Sequence, residues 1–192
     1  MWDRRAIALD EPPEGATVWL GFDGSHSGDS TALVGCTNEG HIFVAGCWEN
    51  PGKKGWRVPR DEVNDTVIHA MGYWNVKELV CDPPFWQREV AEWSARWPDK
   101  VTEFPTYSRA RMAPATAAFY QAVMDERITH SGDKRLARHV ANCVVVGGPQ
   151  GDAITKQDKD SPAKIDLAVA AVLAHSRAVI SVPSKQHPLA IF

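Results

Sequence analysis

Three aspartates in this sequence stand where an apolar run ends or begins. Asp23 follows the strand-like residues 18–22, Asp82 follows the apolar residues 79–81, and Asp166 precedes an alanine-rich apolar stretch. Ligands of parallel sheets bind beyond the carboxyl ends of the strands. A carboxylate on a helix that packs in a core needs a cation or a donor beside it. If the two strands are neighbours, about 4.8 Å apart, and the helix crosses them, the three carboxylates converge.

Converging carboxylates are typical of one kind of metal site. They are hard oxygen ligands, and with no histidine or cysteine among them they favour Mg²⁺ or Mn²⁺ over Zn²⁺. Two such ions, about 3.5–4 Å apart, activate a water and stabilise the leaving oxygen of a phosphodiester. The acids therefore predict metal-dependent phosphodiester hydrolysis. Asp23, Asp82 and Asp166 are the candidate catalytic metal ligands, and Asp29 is an additional candidate for an outer ligand.

A plainer interpretation exists for each acid taken alone. Asp23 precedes a Gly-rich turn and Asp29 lies within it, so both can be ordinary turn residues. Asp82 precedes two prolines, and Asp166 can be a first-turn acid that matches the helix dipole. These alternatives stay open for the single residues, whereas the three acids together favour the metal site.

The first half of the chain predicts a sheet that is partly antiparallel and partly parallel. Three β-rich runs joined by turns predict a meander over residues 17–23, 31–37 and 41–48. A strand–helix–strand order implies parallel neighbours with right-handed crossovers. That order is predicted by a helix from residue 59 to 72–75, a strand at 78–82, a helix at 85–97 and a strand at 101–104.

The second half predicts helices and one turn-rich segment. Helices are expected at residues 115–127 and 133–142, and a last one from Ser161 to about residue 178 with Pro162 in its first turn. Residues 147–162 predict a hairpin or a mobile loop. We therefore expect an α/β fold with a central mixed sheet flanked by helices. Its predicted extent is residues 17–180, with 1–16 as an extended lead-in or linker remnant and 181–192 as a disordered tail.

Composition and charge narrow the class of protein. The 192 residues are 44% hydrophobic and 23% charged, as in one globular domain. No run approaches the ~20 apolar residues that span a bilayer, and the first residues lack the apolar run of a signal peptide. We therefore expect a soluble, intracellular protein without a membrane partner. The formal net charge of −3 does not by itself indicate a nucleic-acid binder.

Two residue types that could carry chemistry are expected to serve the core instead. The four cysteines lack the spacing of a metal knuckle, and we expect them to be buried free thiols. Trp86, Trp93 and Trp97 recur at helical spacing. A base-stacking platform is one interpretation of that stripe, and core packing is the favoured one.

The acidic motifs resemble those of a known family. Gly-Phe-Asp-Gly-Ser at residues 21–25 with Asp-Ser-Thr-Ala-Leu at 29–33, Leu-Val-Cys-Asp-Pro at 79–83 and Lys-Ile-Asp-Leu-Ala-Val-Ala at 164–170 are similar to three motifs of one domain. It is the nuclease domain of the large terminase subunit of tailed bacteriophages. Segments within residues 112–120 and 130–142 are similar to that family as well, and the resemblance covers residues 17–177. It implies a ribonuclease H-like fold with Asp23, Asp82 and Asp166 as metal ligands.

The resemblance also implies a biological role. Such a domain cuts concatemeric double-stranded DNA into genome lengths in the cytoplasm of the infected host, in concert with the terminase ATPase domain, the small terminase subunit and the portal. The sequence holds no G-x-x-x-x-G-K-[ST] phosphate loop. We therefore expect the ATPase motor to be absent from this chain, and the isolated domain to be a monomeric endonuclease that uses two ions.

Basic residues cluster near the third acid. Residues 127–164 hold seven Lys or Arg against four Asp, a local charge of +3, where a polyanion would need phosphate contacts. A solvated helix face is an equal interpretation for part of this cluster. No pattern indicates base-specific reading. The DNA-binding candidates are Lys156, Lys159, Lys164, Arg109, Arg111 and Arg138.

Other functions fit the same residues. A junction resolvase or transposase-like nuclease would use similar acids and prefer branched DNA. A non-catalytic module that docks on the portal would use the acids for a structural ion. The turn at Asp23 is also similar to that of sugar-kinase and actin-like ATPases, but those need a duplicated domain far longer than this chain.

Overall fold

A six-stranded mixed sheet, a separate two-stranded hairpin and five α-helices make up the part of the chain that the computed structural model describes, which is residues 1–26, 30–158 and 161–181. The strands are β1 (Thr17–Asp23), β2 (Thr31–Thr37), β3 (His41–Trp48), β4 (Asn75–Cys81), β5 (Val101–Glu103), β6 (Thr129–His130), β7 (Val144–Val146) and β8 (Ala153–Thr155). The helices are α1 (Arg60–Tyr73), α2 (Gln87–Arg96), α3 (Arg109–Met124), α4 (Lys134–Ala141) and α5 (Asp166–Ser181).

The sheet has the strand order β5-β4-β1-β2-β3-β6. β1, β2 and β3 form an antiparallel meander, whereas β4 pairs with β1 and β5 pairs with β4 in parallel. This confirms the predicted meander and the predicted parallel neighbours. β6, which pairs with β3 in parallel over two residues, was not predicted because a two-residue strand carries no alternating pattern.

Helices cover both faces of the sheet with different side chains. On what we call the α1/α2 face, the helices and the sheet enclose a cluster of large aromatic residues. These are Phe22, Phe43, Trp48, Trp74, Trp86 and Trp93. On what we call the α5 face, α5 presses alanines against the sheet, with α3 and α4 beside it. Trp86 and Trp93 are buried, which confirms that the tryptophan stripe serves the core.

The predicted starts of two helices are wrong. α3 begins at Arg109, well before residue 115, and contains Pro114. The buried residues Met112 and Ala113 stabilise the turn before that proline through tertiary packing, which local sequence signals do not report.

The last helix begins at Asp166 rather than at Ser161, so Pro162 does not lie in its first turn. The side-chain amide of Asn142 donates to the Lys164 carbonyl (2.9 Å), and this bond holds the chain before Asp166 outside the helix. Asp166 is therefore the first residue of α5 and not a residue one turn into it.

The start of the chain forms a short helix, and the turn-rich segment forms part of a hairpin. Within residues 1–16, Trp2–Arg5 forms a 3₁₀ helix, and the Trp2 ring stacks on His130 with centroids 4.1 Å apart. The turn-rich segment predicted at 147–162 supplies β8, which pairs with β7 as a hairpin. Residues 182–192 of the predicted tail lie outside the described residues.

No disulfide joins the four cysteines, all of which lie within the described residues. All four cysteines are free, which confirms that part of the prediction. Cys36 and Cys81 are buried as predicted, whereas Cys47 and Cys143 are only half-buried. None of the described helices has the length and apolar character needed to cross a membrane.

Candidate active site

The first two acids lie side by side at the carboxyl ends of adjacent parallel strands. Asp23 is the last residue of β1, and Asp82 follows the last residue of β4. The Asp82 backbone N–H donates to the Phe22 carbonyl (2.9 Å), which continues the pairing of the two strands. The backbone of the sheet itself therefore brings these two acids together.

The Asp82 carboxylate is held by the loop that follows β5. The Thr106 N–H donates to one carboxylate oxygen (3.0 Å) and the Thr106 hydroxyl donates to the other (2.7 Å). Burial raises the pKa of Asp82 above its ordinary value, and the two hydrogen bonds from Thr106 oppose that rise. A cation beside the carboxylate would favour its charged form further.

Asp166 lies at the same edge of the sheet, at the start of α5, and is buried. Its Oδ2 accepts a hydrogen bond from the backbone N–H of Ser30 (3.3 Å). Ser30 directly precedes β2, in which Ala32 is the partner of Asp23. The third acid is thus tied to the strand beside the first.

A buried histidine supports the first turn of α5. The Leu167 N–H donates to His139 Nδ1 (2.9 Å), so the neutral ring carries its proton on Nε2, which donates to Glu49 (2.9 Å). Burial lowers the pKa of His139, against the opposing effects of Glu49 and Asp166. The ring therefore acts as a neutral bridge between β3 and the helix that carries Asp166.

Glu49 connects His139 to Ser30, the residue whose N–H donates to Asp166. It accepts hydrogen bonds from the Arg138 guanidinium and from the Ser30 hydroxyl (3.3 Å). Burial raises the pKa of Glu49, but the hydrogen bonds from Arg138 and His139 outweigh that effect and the net shift is downward. The carboxylate stays charged. It accepts hydrogen bonds from Ser30 and His139, which in turn contact Asp166 and Leu167 at the start of α5.

Two of the acids face a common cavity of about 300 Å³. It is lined by Asp23, Thr106, Met112, Ile154, Thr155, Lys156, Ile165, Asp166 and Val169. The hairpin contributes two residues of β8 and the lysine after them. The other apolar residues come from α3, from α5 and from Ile165, which directly precedes α5. The two acids Asp23 and Asp166 thus share this cavity with a lysine, Lys156.

The donor set at this edge consists of carboxylate oxygens, which suits Mg²⁺ or Mn²⁺. Within the described ranges, no group of three or more His, Cys, Asp or Glu side chains is arranged to hold a metal ion. Both oxygens of Asp82 are engaged by Thr106, whereas Asp23 and Asp166 line the cavity. Asp23 and Asp166 fit a hard cation by type and by their shared cavity, and Asp82 fits by type and by its place beside the end of β1. Asp29 lies outside the described residues.

The predicted DNA-binding residues occupy different environments. Lys156 lines the cavity, and Lys164 lies two residues before Asp166. The Arg109 guanidinium donates to the Val146 carbonyl in the hairpin, and the Arg111 guanidinium donates to the Glu103 carbonyl. Arg138 pairs with Glu49 (2.5 Å), and Lys159 lies outside the described residues.

The supports of the acids were not predicted from the sequence. Thr106 lies in a turn after a short strand, and its threonine and neighbouring proline are ordinary turn residues. Ser30, Glu49 and His139 reach the site through tertiary contacts between distant elements. A histidine within the apolar side of a helix was the one available signal, since His139 follows Leu136 at helical spacing.

This sheet, with acids at the carboxyl ends of two central parallel strands and at the start of a covering helix, is the ribonuclease H-like fold, as the acidic motifs implied. Among the solved structures that match this chain are large terminases and terminase nucleases. The crystal structure of the HK97 bacteriophage large terminase has a TM-score of 0.71 and 18% identity, over 90% of this chain and 41% of that chain. The large terminase nuclease of thermophilic phage G20c has a TM-score of 0.64 and 15% identity, over 91% and 95%. These similarities confirm the predicted resemblance at the level of the fold.

The same G20c nuclease has also been solved with bound magnesium, at a TM-score of 0.64 and 14% identity over 91% of this chain and 94% of that chain. Structures of it with cobalt and with zinc match this chain as well.

Curated relatives come from mycobacteriophages. The gene 13 protein of Mycobacterium phage L5 is 36% identical over 172 residues, which is 83% of this chain and 29% of the relative. The gene 13 protein of Mycobacterium phage D29 is 34% identical over 184 residues, which is 90% and 31%. The chain thus spans less than a third of the length of the curated relatives it matches. No protein-family model matches the chain.

Proposed function

We propose that this chain is the metal-dependent endonuclease domain of a viral DNA-packaging terminase. In this proposal it hydrolyses phosphodiester bonds of concatemeric double-stranded DNA, with little sequence specificity and with two Mg²⁺ or Mn²⁺ ions. The observation that carries the proposal is that acids from three elements lie at one edge of the sheet. Asp23 and Asp82 end neighbouring parallel strands, and Asp166 faces the same cavity as Asp23.

The proposed ligands are Asp23, Asp82 and Asp166. When bound, divalent ions supply an activated water and stabilisation of the leaving oxygen. The chain's own part is to keep the carboxylates in place. Thr106 orients Asp82 through both of its donors, and the Ser30 N–H orients Asp166. The magnesium-bound G20c nuclease supports the choice of a divalent cation.

The proposed DNA path runs past the wall of the cavity that the hairpin forms. Lys156 is the proposed contact for the phosphate that enters, because it lines the cavity and a lysine neutralises a phosphate without reading sequence. The other proposed phosphate contacts are Arg109, Arg111, Arg138, Lys159 and Lys164. Contacts of this kind give binding that weakens steeply with salt and cleavage with little sequence preference.

The wider role is part of the same proposal. A terminase ATPase domain, a small terminase subunit and a portal are the proposed partners, and the cytoplasm of an infected host is the proposed place of action. The isolated domain is proposed to be a monomer. The phage origin of the relatives supports the proposed role in a viral system.

A plasmid assay tests the proposed activity. Supercoiled plasmid is incubated with the purified chain and Mn²⁺ or Mg²⁺, and nicked and linear products are quantified. We expect cleavage that EDTA abolishes. Asp82→Asn should lower the rate at least about a hundredfold, because even outer-shell partners of a metal site are worth 10–100-fold. Asp65→Asn, at an exposed aspartate of α1, is the matched control and should cleave like the wild type.

Three results would contradict the proposal in different ways. Equal cleavage by Asp82→Asn and wild type would remove the acids from the reaction. Strong preference for a four-way junction over plasmid would indicate a resolvase instead. DNA binding without cleavage under both metals would indicate a non-catalytic module.

A further inference from the structure

Two aromatic side chains are exposed to solvent on the loops that follow β4 and β5. Phe85 is 62% exposed and lies three residues after Asp82, and Tyr107 is 81% exposed and directly follows Thr106. Their loops leave β4 and β5, which pair in parallel with Cys81 opposite Glu103. Both rings therefore belong to the edge of the sheet that carries the acids.

Phe85 is held in an unfavourable backbone conformation. Its φ is 66°, in the left-handed region that a bulky residue rarely adopts. The Arg60 guanidinium donates to the Phe85 carbonyl, stacks over the Trp86 ring at 4.3 Å and pairs with Glu89 (2.6 Å). Strained positions that the surroundings enforce cluster at functional sites, and here the enforced conformation leaves an apolar ring in water.

The loop of Phe85 is also joined to the loop of the first acid. The Trp86 indole N–H donates to the Ser25 carbonyl (3.0 Å), and the Phe85 ring lies against the His26 ring with centroids 6.4 Å apart. The exposed ring thus has a fixed position relative to the end of β1. It is not a side chain on a free loop.

Tyr107 has a similarly fixed base. The residue before it, Thr106, donates two hydrogen bonds to Asp82. The residue after it, Ser108, donates its N–H to the Pro105 carbonyl (3.0 Å). The turn is closed on both sides of Tyr107 while its ring remains outside.

We infer that Phe85 and Tyr107 form an aromatic rim that stacks on nucleobases of an unpaired strand segment beside the cleavage site. This inference rests on the proposed function and adds the strand state that the site takes. Exposed rings next to phosphate-binding lysines are how proteins hold single strands, because every base has a face that stacks on an aromatic ring. Bases inside an intact duplex are already stacked on each other, so the rim selects DNA that is locally opened.

Binding without divalent metal tests the rim apart from catalysis. Fluorescence anisotropy in EDTA compares an intact duplex with the same duplex carrying a short single-stranded fork. We expect the wild type to prefer the fork. The Phe85→Leu, Tyr107→Leu double variant should lose about tenfold or more of its affinity for the fork, and at most about threefold for the duplex. Tyr120→Leu, at a tyrosine of α3 that is 59% exposed, is the matched control and should bind both DNAs like the wild type.

Phe85→Gly separates a binding role from a structural one. Glycine tolerates the positive φ at no steric cost, so the melting temperature should stay the same or rise while fork binding weakens. Asp99→Gly, at an exposed residue with the same φ of 66°, should raise or keep the melting temperature and leave fork binding undiminished. A 2-aminopurine base in the fork should be quenched by the wild type and not by the double variant.

The rim is overturned if the double variant binds the fork as tightly as the wild type, or if Tyr120→Leu weakens fork binding equally. Loss of stability in Phe85→Gly would also overturn it, because it would show that the ring serves the fold. These outcomes differ from failure of the proposed function. If the wild type does not cleave plasmid but the double variant binds the fork more weakly than the wild type, the rim proposal stands and the proposed nuclease function fails. If the wild type cleaves plasmid and the double variant binds the fork equally well, the nuclease function stands and the rim proposal fails.

Discussion

The two faces of the sheet are packed by opposite means. On the α1/α2 face, the rings of Trp86 and Trp93 both meet Phe22 edge-on, with centroids 5.1 and 5.2 Å away. On the α5 face, the helix that carries Asp166 is largely alanine and valine where it meets the sheet. One face is filled by large side chains, whereas the other brings two backbones close together.

The close approach on the α5 face can be measured at Gly21. A Cβ built there would lie 2.1 Å from the Ala170 carbonyl oxygen and 2.8 Å from the Ala174 nitrogen. Gly21 lies two residues before Asp23, and Ala170 lies one turn after Asp166. The packing of α5 on β1 therefore sets the separation of two acids, whereas the aromatic face contributes stability without setting that geometry.

The difference between the faces predicts that a cavity on the α1/α2 face lowers the stability of the chain but leaves its cleavage activity largely unchanged. Trp93→Ala should lower the free energy of unfolding by about 4 kcal/mol, because it removes a large buried side chain. Urea unfolding measures the loss, and metal-dependent plasmid cleavage well below the melting temperature should be retained. Trp97→Ala, at the half-buried tryptophan of the same stripe, should cost less than half as much. Equal losses would contradict the assignment of Trp93 to the core.

Adding one methyl group on the α5 face should reduce cleavage more, and stability less, than the cavity at Trp93 does. Gly21→Ala should lower the free energy of unfolding by about 2–3 kcal/mol, since α5 must move to make room, and it should lower cleavage more than Trp93→Ala does. Gly72→Ala meets nothing within 4 Å in α1, so it should be neutral or stabilising by up to about 1 kcal/mol. If Gly21→Ala retained full cleavage at unchanged metal affinity, the spacing role of α5 would be wrong.

How much of this could be predicted from the sequence differs between the acids and their supports. Asp23 and Asp82 end apolar runs, and a run that ends in an acid is visible in the chain itself. Thr106 reaches Asp82 across 24 residues. The parallel pairing of β5 with β4 was predicted, but no local pattern indicates that a turn residue after β5 donates to Asp82.

The helix that carries Asp166 shows the same limit. Its alanine-rich pattern predicted a helix, but its start depends on Asn142, which holds the Lys164 carbonyl (2.9 Å), and on His139, which accepts from Leu167 (2.9 Å). Local sequence signals describe elements, while the contacts that trim and orient those elements arise between residues far apart in the chain.

A buried histidine on the α5 face, His175, makes the stability of the chain depend on pH. Burial lowers the pKa of His175 to about 4, and the charge of Arg127 adds to this effect. An unfolded chain binds this proton below about pH 6.5, so it takes up more protons than the folded chain between pH 6.5 and 4. Stability therefore falls as the pH drops through that window.

Replacing this ring should remove its share of the acid sensitivity. His175→Leu keeps an apolar group against Phe119, whose ring meets His175 edge-on at 5.4 Å, and it deletes the titrating group. Between pH 7.5 and pH 5, the variant should gain about 2 kcal/mol of stability relative to the wild type, from the difference between a pKa near 4 and one near 6.5. Urea unfolding at the two pH values measures it. A difference between variant and wild type that is the same at both values would show that His175 is not held neutral in the folded chain, because only a group whose pKa changes on folding makes the difference depend on pH.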